Sequence, residues 1–264
     1  QGGPCSDSDP SLTYHNSFLI VDNHDAWVLE TAGKYWAAER IESGFRNISN
    51  CLSISTKIDL MSDGLKEAAV KNGLWSGNGE FNFANVFGNE GEIKVCGRYQ
   101  AGLSLLKNLT ESHQFDVNSM LHILRDDQIC RGIHDSFPTQ ASQVSVLSSP
   151  GSNRAHCHWF TCTPDARVSA FKPFIFVKNV KQSQKTCSPA GSDRKHVLYA
   201  RKEKFYKQCS KEEKEKMRKT LREMEATCIE EVEDTLDNFD ANDESLQLSE
   251  LFNDTVEAEL RFYK

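Results

Sequence analysis

The sequence predicts an α+β fold with antiparallel sheets and C-terminal helices. Three observations lead to this prediction: strand-like patterning over residues 17–55, a mixed middle, and charged helical patterning beyond about residue 192. Strands that follow one another through short turns form antiparallel sheets, and separate runs of helices are typical of the α+β class. We expect a single domain over residues 1–264, incomplete on its N-terminal side, with a sheet-rich part at 1–191 and a helical part at 192–264.

The first strands are predicted to form an antiparallel meander. The segment 22–25 is rich in Asp and Asn, which favour a tight turn, and Gly33 and Gly44 supply two further turns. Both faces of the segment 27–29 are apolar, as in strands covered by other layers. The four predicted strands are 17–21, 26–31, 35–40 and 45–50.

The middle of the chain alternates between helical and strand-like patterns. A short helix is predicted over 62–72, with Asp63 as its N-cap and Gly73 as its stop. A second helix is predicted after Asp116 or Asn118, either of which could cap it, and it carries Met120, Leu121, Ile123 and Leu124. Gly77-Asn-Gly79 is predicted as a turn. Three further strands are predicted at 141–147, 156–162 and 171–177, with a turn at 148–153 between the first two.

Two long helices are predicted at the C-terminal end. Residues 211–237 place apolar side chains at spacings of three and four, which indicates one narrow buried face. The face consists of Met217, Leu221, Met224, Cys228, Val232 and Leu236. A final helix carries Leu248, Leu251, Phe252, Val256, Leu260 and Tyr263, with Ser245 or Ser249 as its cap and a loop at 237–244 before it. Packing on its own domain is the main interpretation; a dimerising coiled coil is the alternative.

Composition excludes several classes of protein. The formal net charge is −7, with 31 Lys and Arg against 38 Asp and Glu, which argues against nucleic-acid binding. The longest apolar runs have strand length, so no membrane span is expected. Nine cysteines without a repeating spacing predict reduced thiols and a cytoplasmic location. Because the chain opens on Gln1 and not on Met, we expect it to be a fragment.

Two groups of residues could carry chemistry. His156, His158 and Cys162 would share one face of a strand, and the two histidines could chelate a metal, but no further ligand motif is present. Ordinary strand hydrogen bonds are the simpler interpretation. Cys5 could become an N-terminal nucleophile after further cleavage; otherwise it is a thiol in a surface loop. No Gly-x-Ser-x-Gly motif and no phosphate-binding glycine loop occur.

Several long strings of the sequence resemble the secernin family. They are 26–39, 75–83, 141–147, 160–165 with 171–176, and 259–264, in an order that covers nearly the whole chain. The resemblance implies a dipeptidase-like cysteine peptidase with the four-layer αββα sandwich of N-terminal-nucleophile hydrolases. It implies small peptides as substrates and no cofactor or metal. An N-terminal cysteine would attack the amide carbonyl, and its amine would carry the proton.

The resemblance also yields expectations about the site. The nucleophilic cysteine is expected upstream of this chain, so residues 1–264 alone should be inactive; dipeptide hydrolysis that survives Cys5→Ser would contradict this. Asn50 is the candidate oxyanion donor, against a residue that only completes a turn. Arg46 could hold a substrate carboxylate, against an ordinary exposed arginine. The alternative function is a non-catalytic interaction protein in regulated exocytosis, with partners at the charged helices from Lys195 onward; a homo-oligomer stays open.

Overall fold

The computed structural model describes residues 4–6, 9–13, 15–88, 94, 96–112, 114–239 and 246–263. Within them the predicted α+β class is confirmed, because helices accompany sheets in which every strand pair is antiparallel. Contacts group the chain into two compact units, Gln1–Phe115 and Asp116–Lys264. This boundary differs from the predicted division at 191/192, because the second sheet and the C-terminal helices belong to the same unit. That the chain forms a single domain stays a prediction.

The first unit contains a two-stranded ribbon and a four-stranded sheet. The ribbon pairs β1 (Pro4–Ser6) with β2 (Asp9–Thr13), so the predicted surface loop around Cys5 is wrong for the backbone. The four-stranded sheet has the order β3-β4-β5-β6. Its strands are β3 (Asn16–Val21), β4 (Ala26–Ala32), β5 (Tyr35–Arg40) and β6 (Leu60–Met61).

The two predicted hairpins of this sheet are confirmed. Asp22 closes the first turn, where its Oδ1 accepts hydrogen bonds of 2.7 Å from the backbone N–H groups of His24 and Asp25. Gly33 allows the second turn, since its φ of 60° lies in the left-handed region that favours glycine. On β4, Val28 is fully buried, whereas Trp27 is half-buried.

The predicted fourth strand at 45–50 is wrong. These residues form no strand, and the place beside β5 is taken by β6, which pairs Leu60 with Ala38 and Met61 with Ala37. The physical reason is long-range hydrogen bonding, because side chains of this segment donate to Glu39 of β5 and to a backbone carbonyl of a later helix.

The described residues of the first unit include the helices α1 (Leu65–Lys71), α2 (Phe83–Phe87) and α3 (Gly97–Ser112). The first was predicted, but its cap was not: Gly64 occupies the N-cap position with φ of 71° and Asp63 does not cap it. The predicted turn at 77–79 is confirmed by positive φ at Gly77 and Gly79. The core of the unit consists of Val28, Ala32, Ala37, Leu52, Ile54, Leu65, Ala69, Phe81 and Phe83.

The second unit packs a three-stranded sheet against helices. Its strands are β7 (Gln143–Val146), β8 (Cys157–Phe160) and β9 (Lys172–Ile175), in the order β7-β8-β9. Its helices are α4 (Val117–Leu124), α5 (Val197–Gln208), α6 (Lys211–Asp237) and α7 (Leu246–Phe262), with short 3₁₀ turns at Ala166–Val168 and Gln184–Thr186. All three predicted strands are present, each shorter than expected.

The helix predictions for this unit are mostly confirmed. Asp116 caps α4 through a capping box with Ser119. Helix α6 has the bounds that the apolar periodicity predicts, 211–237. Its apolar face packs within the same unit. Ser249 lies inside α7 and is not its cap, and the other candidate, Ser245, lies outside the described residues. No helix of the described residues is long and apolar enough to span a bilayer.

Candidate functional site

The candidate site is the segment 46–53, hereafter the 46–53 loop, which leaves the sheet of the first unit after β5. It contains Asn50 and Arg46, the two residues that the sequence singled out here. Asn50 is exposed to solvent, whereas residues 51–53 are buried. The loop therefore passes from the surface into the core directly after Asn50.

A buried carboxylate on β4 holds the end of the loop. Glu30 is 0% exposed, and its oxygens accept hydrogen bonds from the backbone N–H of Ser53 at 2.8 and 2.9 Å. They also accept bonds from the Ser53 hydroxyl at 2.5 Å and from the Ile54 N–H at 2.9 Å. A buried carboxylate is tolerated only when such donors replace its hydration, so Glu30 fixes this part of the backbone.

Arg46 holds the start of the loop. Its guanidinium donates to Glu39 Oε2 at 3.2 Å, to the Ser53 hydroxyl at 3.1 Å and to the Asn47 carbonyl at 3.0 Å. Only 15% of the side chain is exposed. The N–H groups that would bind a substrate carboxylate are thus already engaged inside the unit. Arg46 is neither an exposed arginine nor free to bind a substrate; it holds the loop in place.

Helix α3 supports the loop from the other side. The Asn47 Nδ2 donates to the backbone carbonyl of Tyr99 at 2.7 Å. Gly102 permits this approach, because a Cβ at that position would lie 2.9 Å from Asn47 Oδ1. Cys96, directly before α3, places its Sγ 3.7 Å from the Ser49 hydroxyl. The loop is consequently anchored on both flanks of Asn50.

This arrangement fixes the backbone on both sides of a side-chain hydrogen-bond donor. An oxyanion is stabilised best by donors that are already oriented before the reaction, because no reorganisation is then needed in the transition state. The Asn50 amide has two N–H groups and lies at the exposed point of an otherwise anchored loop. Asn50 as the oxyanion donor stays a prediction, but the surroundings of the residue suit that role.

The histidine pair of the second unit makes ordinary hydrogen bonds. His156 Nδ1 accepts the backbone N–H of Ser148 at 3.0 Å, and His158 Nδ1 lies 2.9 Å from the Ser145 hydroxyl. Burial, with a smaller effect of His156, lowers the pKa of His158. Among the described residues, no three His, Cys, Asp or Glu side chains lie close enough to hold a metal ion. The side chain of Cys5 lies outside the described part.

Sequence reasoning missed a buried polar network in the second unit. Lys202 is 0% exposed, and its Nζ donates to the hydroxyls of Ser169 and Thr163 and, at 2.7 Å, to the carbonyl of Pro164. Nearby, Lys172 and Glu259 form an ion pair of 2.5 Å with both side chains 0% exposed. A serine next to a buried lysine is found in some hydrolases, but Ser169 is also 0% exposed. This network is therefore part of the core and not a site that a substrate can reach.

Two residues of the segment 162–165 adopt positive φ without being glycine, namely Cys162 at 57° and Asp165 at 63°. The carbonyl of Cys162 accepts a 2.8 Å bond from His196 Nε2. Asp165 accepts a hydrogen bond from the Ile133 N–H and forms an ion pair with Arg167. Burial raises the pKa of Asp165, but Arg167 and the backbone donors outweigh it and leave this pKa lowered. These bonds maintain the strained backbone.

A comparison with protein-family models places the chain in no family, since no family model matches it.

Proposed function

We propose that the chain is part of a cysteine-type dipeptidase of the secernin class, which hydrolyses the amide bond of small peptides on an αββα sandwich. The observation that carries the proposal is the exposed Asn50 on the anchored 46–53 loop. The resemblance of the strings at 26–39 and 75–83 to secernins supports it as well. The predicted cytoplasmic location agrees with thiol chemistry, because the cytosol keeps thiols reduced.

In this proposal the chain contributes electrostatic stabilisation. A thiolate attacks the amide carbonyl and converts it into a tetrahedral oxyanion, which collapses to a thioester as the departing amine takes up a proton. Water then hydrolyses the thioester and regenerates the thiol. Asn50 Nδ2 donates a hydrogen bond to that oxygen while the negative charge develops. The proposal takes the nucleophile to be the N-terminal cysteine of the family, and it assigns no residue of this chain to that role.

The decisive experiment is a steady-state assay of the full-length gene product on a panel of dipeptides, with Asn50→Ala as the variant. Loss of one oxyanion donor typically lowers kcat by about 10² to 10³, and KM should change little because the bond forms mainly in the transition state. The matched control is Asn108→Ala, an exposed asparagine on α3. Circular dichroism of both variants checks that the fold is retained.

Equal kcat values for Asn50→Ala and Asn108→Ala would exclude Asn50 as the donor. Absence of hydrolysis by the unsubstituted protein on every dipeptide would exclude the dipeptidase function itself.

One observation favours the second candidate, a protein that acts by binding. Among the described strands, β3 lies at the edge of its sheet, and Phe18, Leu19, Ile20 and Val21 on it are 47–53% exposed. Consecutive exposed apolar residues on an edge strand are typical of surfaces that pair with another chain. The same assay separates the two functions, because a binding protein would show background hydrolysis in the unsubstituted form and in both variants.

A further inference from the structure

We propose that Cys51 and Cys96 form a reversible redox pair, in which a small disulfide such as oxidised glutathione converts the two thiols into one intramolecular disulfide. This proposal is independent of the proposed hydrolase function. It concerns a modification site on the first unit and a low-molecular-weight disulfide as the oxidant.

The geometry brings the two sulfurs together from distant parts of the sequence. Cys51 follows Asn50 on the 46–53 loop, and Cys96 directly precedes α3. The side chains of the two cysteines are within hydrogen-bonding contact, and the Cys96 Sγ also lies 3.7 Å from the Ser49 hydroxyl. A disulfide forms without large backbone movement only where the side chains already meet.

The two thiols differ in the way that a redox pair requires. Cys96 is partly exposed, so an oxidant in solution reaches it, whereas Cys51 is only 3% exposed. Redox-sensitive cysteines are typically accessible thiols of lowered pKa that lie beside a second, resolving thiol. Cys96 fits the first role and Cys51 the second.

The surroundings of Cys96 also favour its thiolate. Partial burial raises the pKa of Cys96, but the backbone N–H of Tyr99, the side chains of Ser49 and Cys51, and the charge of Arg98 together lower it below the usual value. At Cys157, in contrast, burial outweighs the neighbouring groups and raises the pKa to about 12. A thiol that ionises more readily reacts faster with a disulfide near neutral pH.

The reaction balances as two successive thiol–disulfide exchanges. The Cys96 thiolate attacks one sulfur of oxidised glutathione, forms a mixed disulfide and expels one glutathione thiolate. The Cys51 thiol then loses its proton and attacks the Cys96 sulfur, which forms the protein disulfide and expels the second thiolate. The two thiol protons are taken up by the two released thiolates, so two protein thiols are oxidised and one glutathione disulfide is reduced.

The bond would connect the 46–53 loop covalently to the start of α3. On the loop, Cys51 directly follows the exposed residue Asn50. Oxidation would therefore restrict the movement of this part of the surface, and reduction would restore it.

The test is incubation of the complete chain with oxidised glutathione under native conditions, followed by alkylation and tryptic mapping. The expected product is a disulfide between the tryptic peptides 47–57 and 95–98, which contain Cys51 and Cys96. Dithiothreitol should return both peptides to the free thiol form. The matched control is Cys187→Ser, which removes an exposed thiol and should leave the linked peptides unchanged.

Two variants assign the roles. In Cys51→Ser, Cys96 should stop at the mixed disulfide with glutathione, because the resolving thiol is missing. In Cys96→Ser, Cys51 should stay reduced, because the oxidant does not reach it. The proposal is overturned if native protein loses the Cys187 thiol without forming the linked peptides, or if the link forms only in denaturant. Mapping of the unsubstituted protein decides this even where a variant fails to fold.

Discussion

Lys202 lies in the core of the second unit with no exposed surface, although its amine is normally charged. Burial is the main cause that lowers its pKa, to about 7; Glu259 opposes this effect and Lys172 adds to it. Three oxygen acceptors, from Ser169, Thr163 and Pro164, surround the amine. The residue thus remains hydrogen-bonded in both protonation states, but the core disfavours its charge.

This burial predicts a pH-dependent stability. The pKa of Lys202 in the folded chain lies below the usual value of about 10.4 in the unfolded chain, so the unfolded state binds more protons between about pH 7 and 10. The free energy of unfolding should therefore rise with pH in this window, by at most about 1.4 kcal/mol per pH unit from this group. Urea denaturation at several pH values measures the slope.

Lys202→Met should reduce that slope, because the titrating group is gone. Lys204→Met, an exposed lysine on the same helix, is the control and should keep the slope of the unsubstituted protein. Identical slopes in the two variants would show that Lys202 titrates normally in the folded chain.

Among the elements, α6 was the most predictable, because its signals are local. The spacing of apolar residues fixes its buried face, and Ser210 with Glu213 forms a capping box at its start. One buried position, Glu225, breaks the apolar pattern. Its buried carboxylate is stabilised by an ion pair of 2.7 Å with Arg125 and by a hydrogen bond of 2.6 Å from the Phe171 N–H. No local rule predicts such distant partners.

The elements that the sequence did not reveal depend on distant contacts. Segment 45–50 follows a glycine turn as a further strand of the meander would, but Arg46, Asn47 and the carboxylate of Glu30 direct the 46–53 loop away from the sheet. Helix α3 was not predicted because Gly102 weakens its helical pattern, and this glycine is needed for the approach of Asn47. Asn50 could be named from the resemblance, whereas its anchors needed the structure.

The capping box of α6 predicts a measurable stability effect. Ser210→Ala removes the oxygen that accepts the Glu213 N–H, and loss of such a cap costs roughly 0.5 to 2 kcal/mol of the free energy of unfolding. Chemical denaturation measures this change. Ser188→Ala, at an exposed position outside any helix, should change stability by less than about 0.5 kcal/mol. A Ser210→Ala value within that range would contradict the capping role.

For the whole molecule, the net charge of −7 opposes association, whereas the exposed apolar residues of β3 favour it. We predict concentration-dependent self-association through this edge, measured by sedimentation velocity. Leu19→Lys should weaken it several-fold, because a lysine on an edge strand opposes pairing with another strand. Val70→Lys, at another exposed apolar position on α1, is the control. Equal association of both variants would show that β3 is not the contact.

The four hydrogen bonds from the 46–53 loop and its next residue to Glu30 have a consequence for protein engineering. A loop is commonly treated as a part that can be grafted onto another scaffold, but here an essential anchor belongs to a strand that precedes it in the chain. Transplanting residues 46–53 alone would leave the backbone N–H and the hydroxyl of Ser53 without their acceptor. A graft that keeps the position of Asn50 has to carry β4 with it.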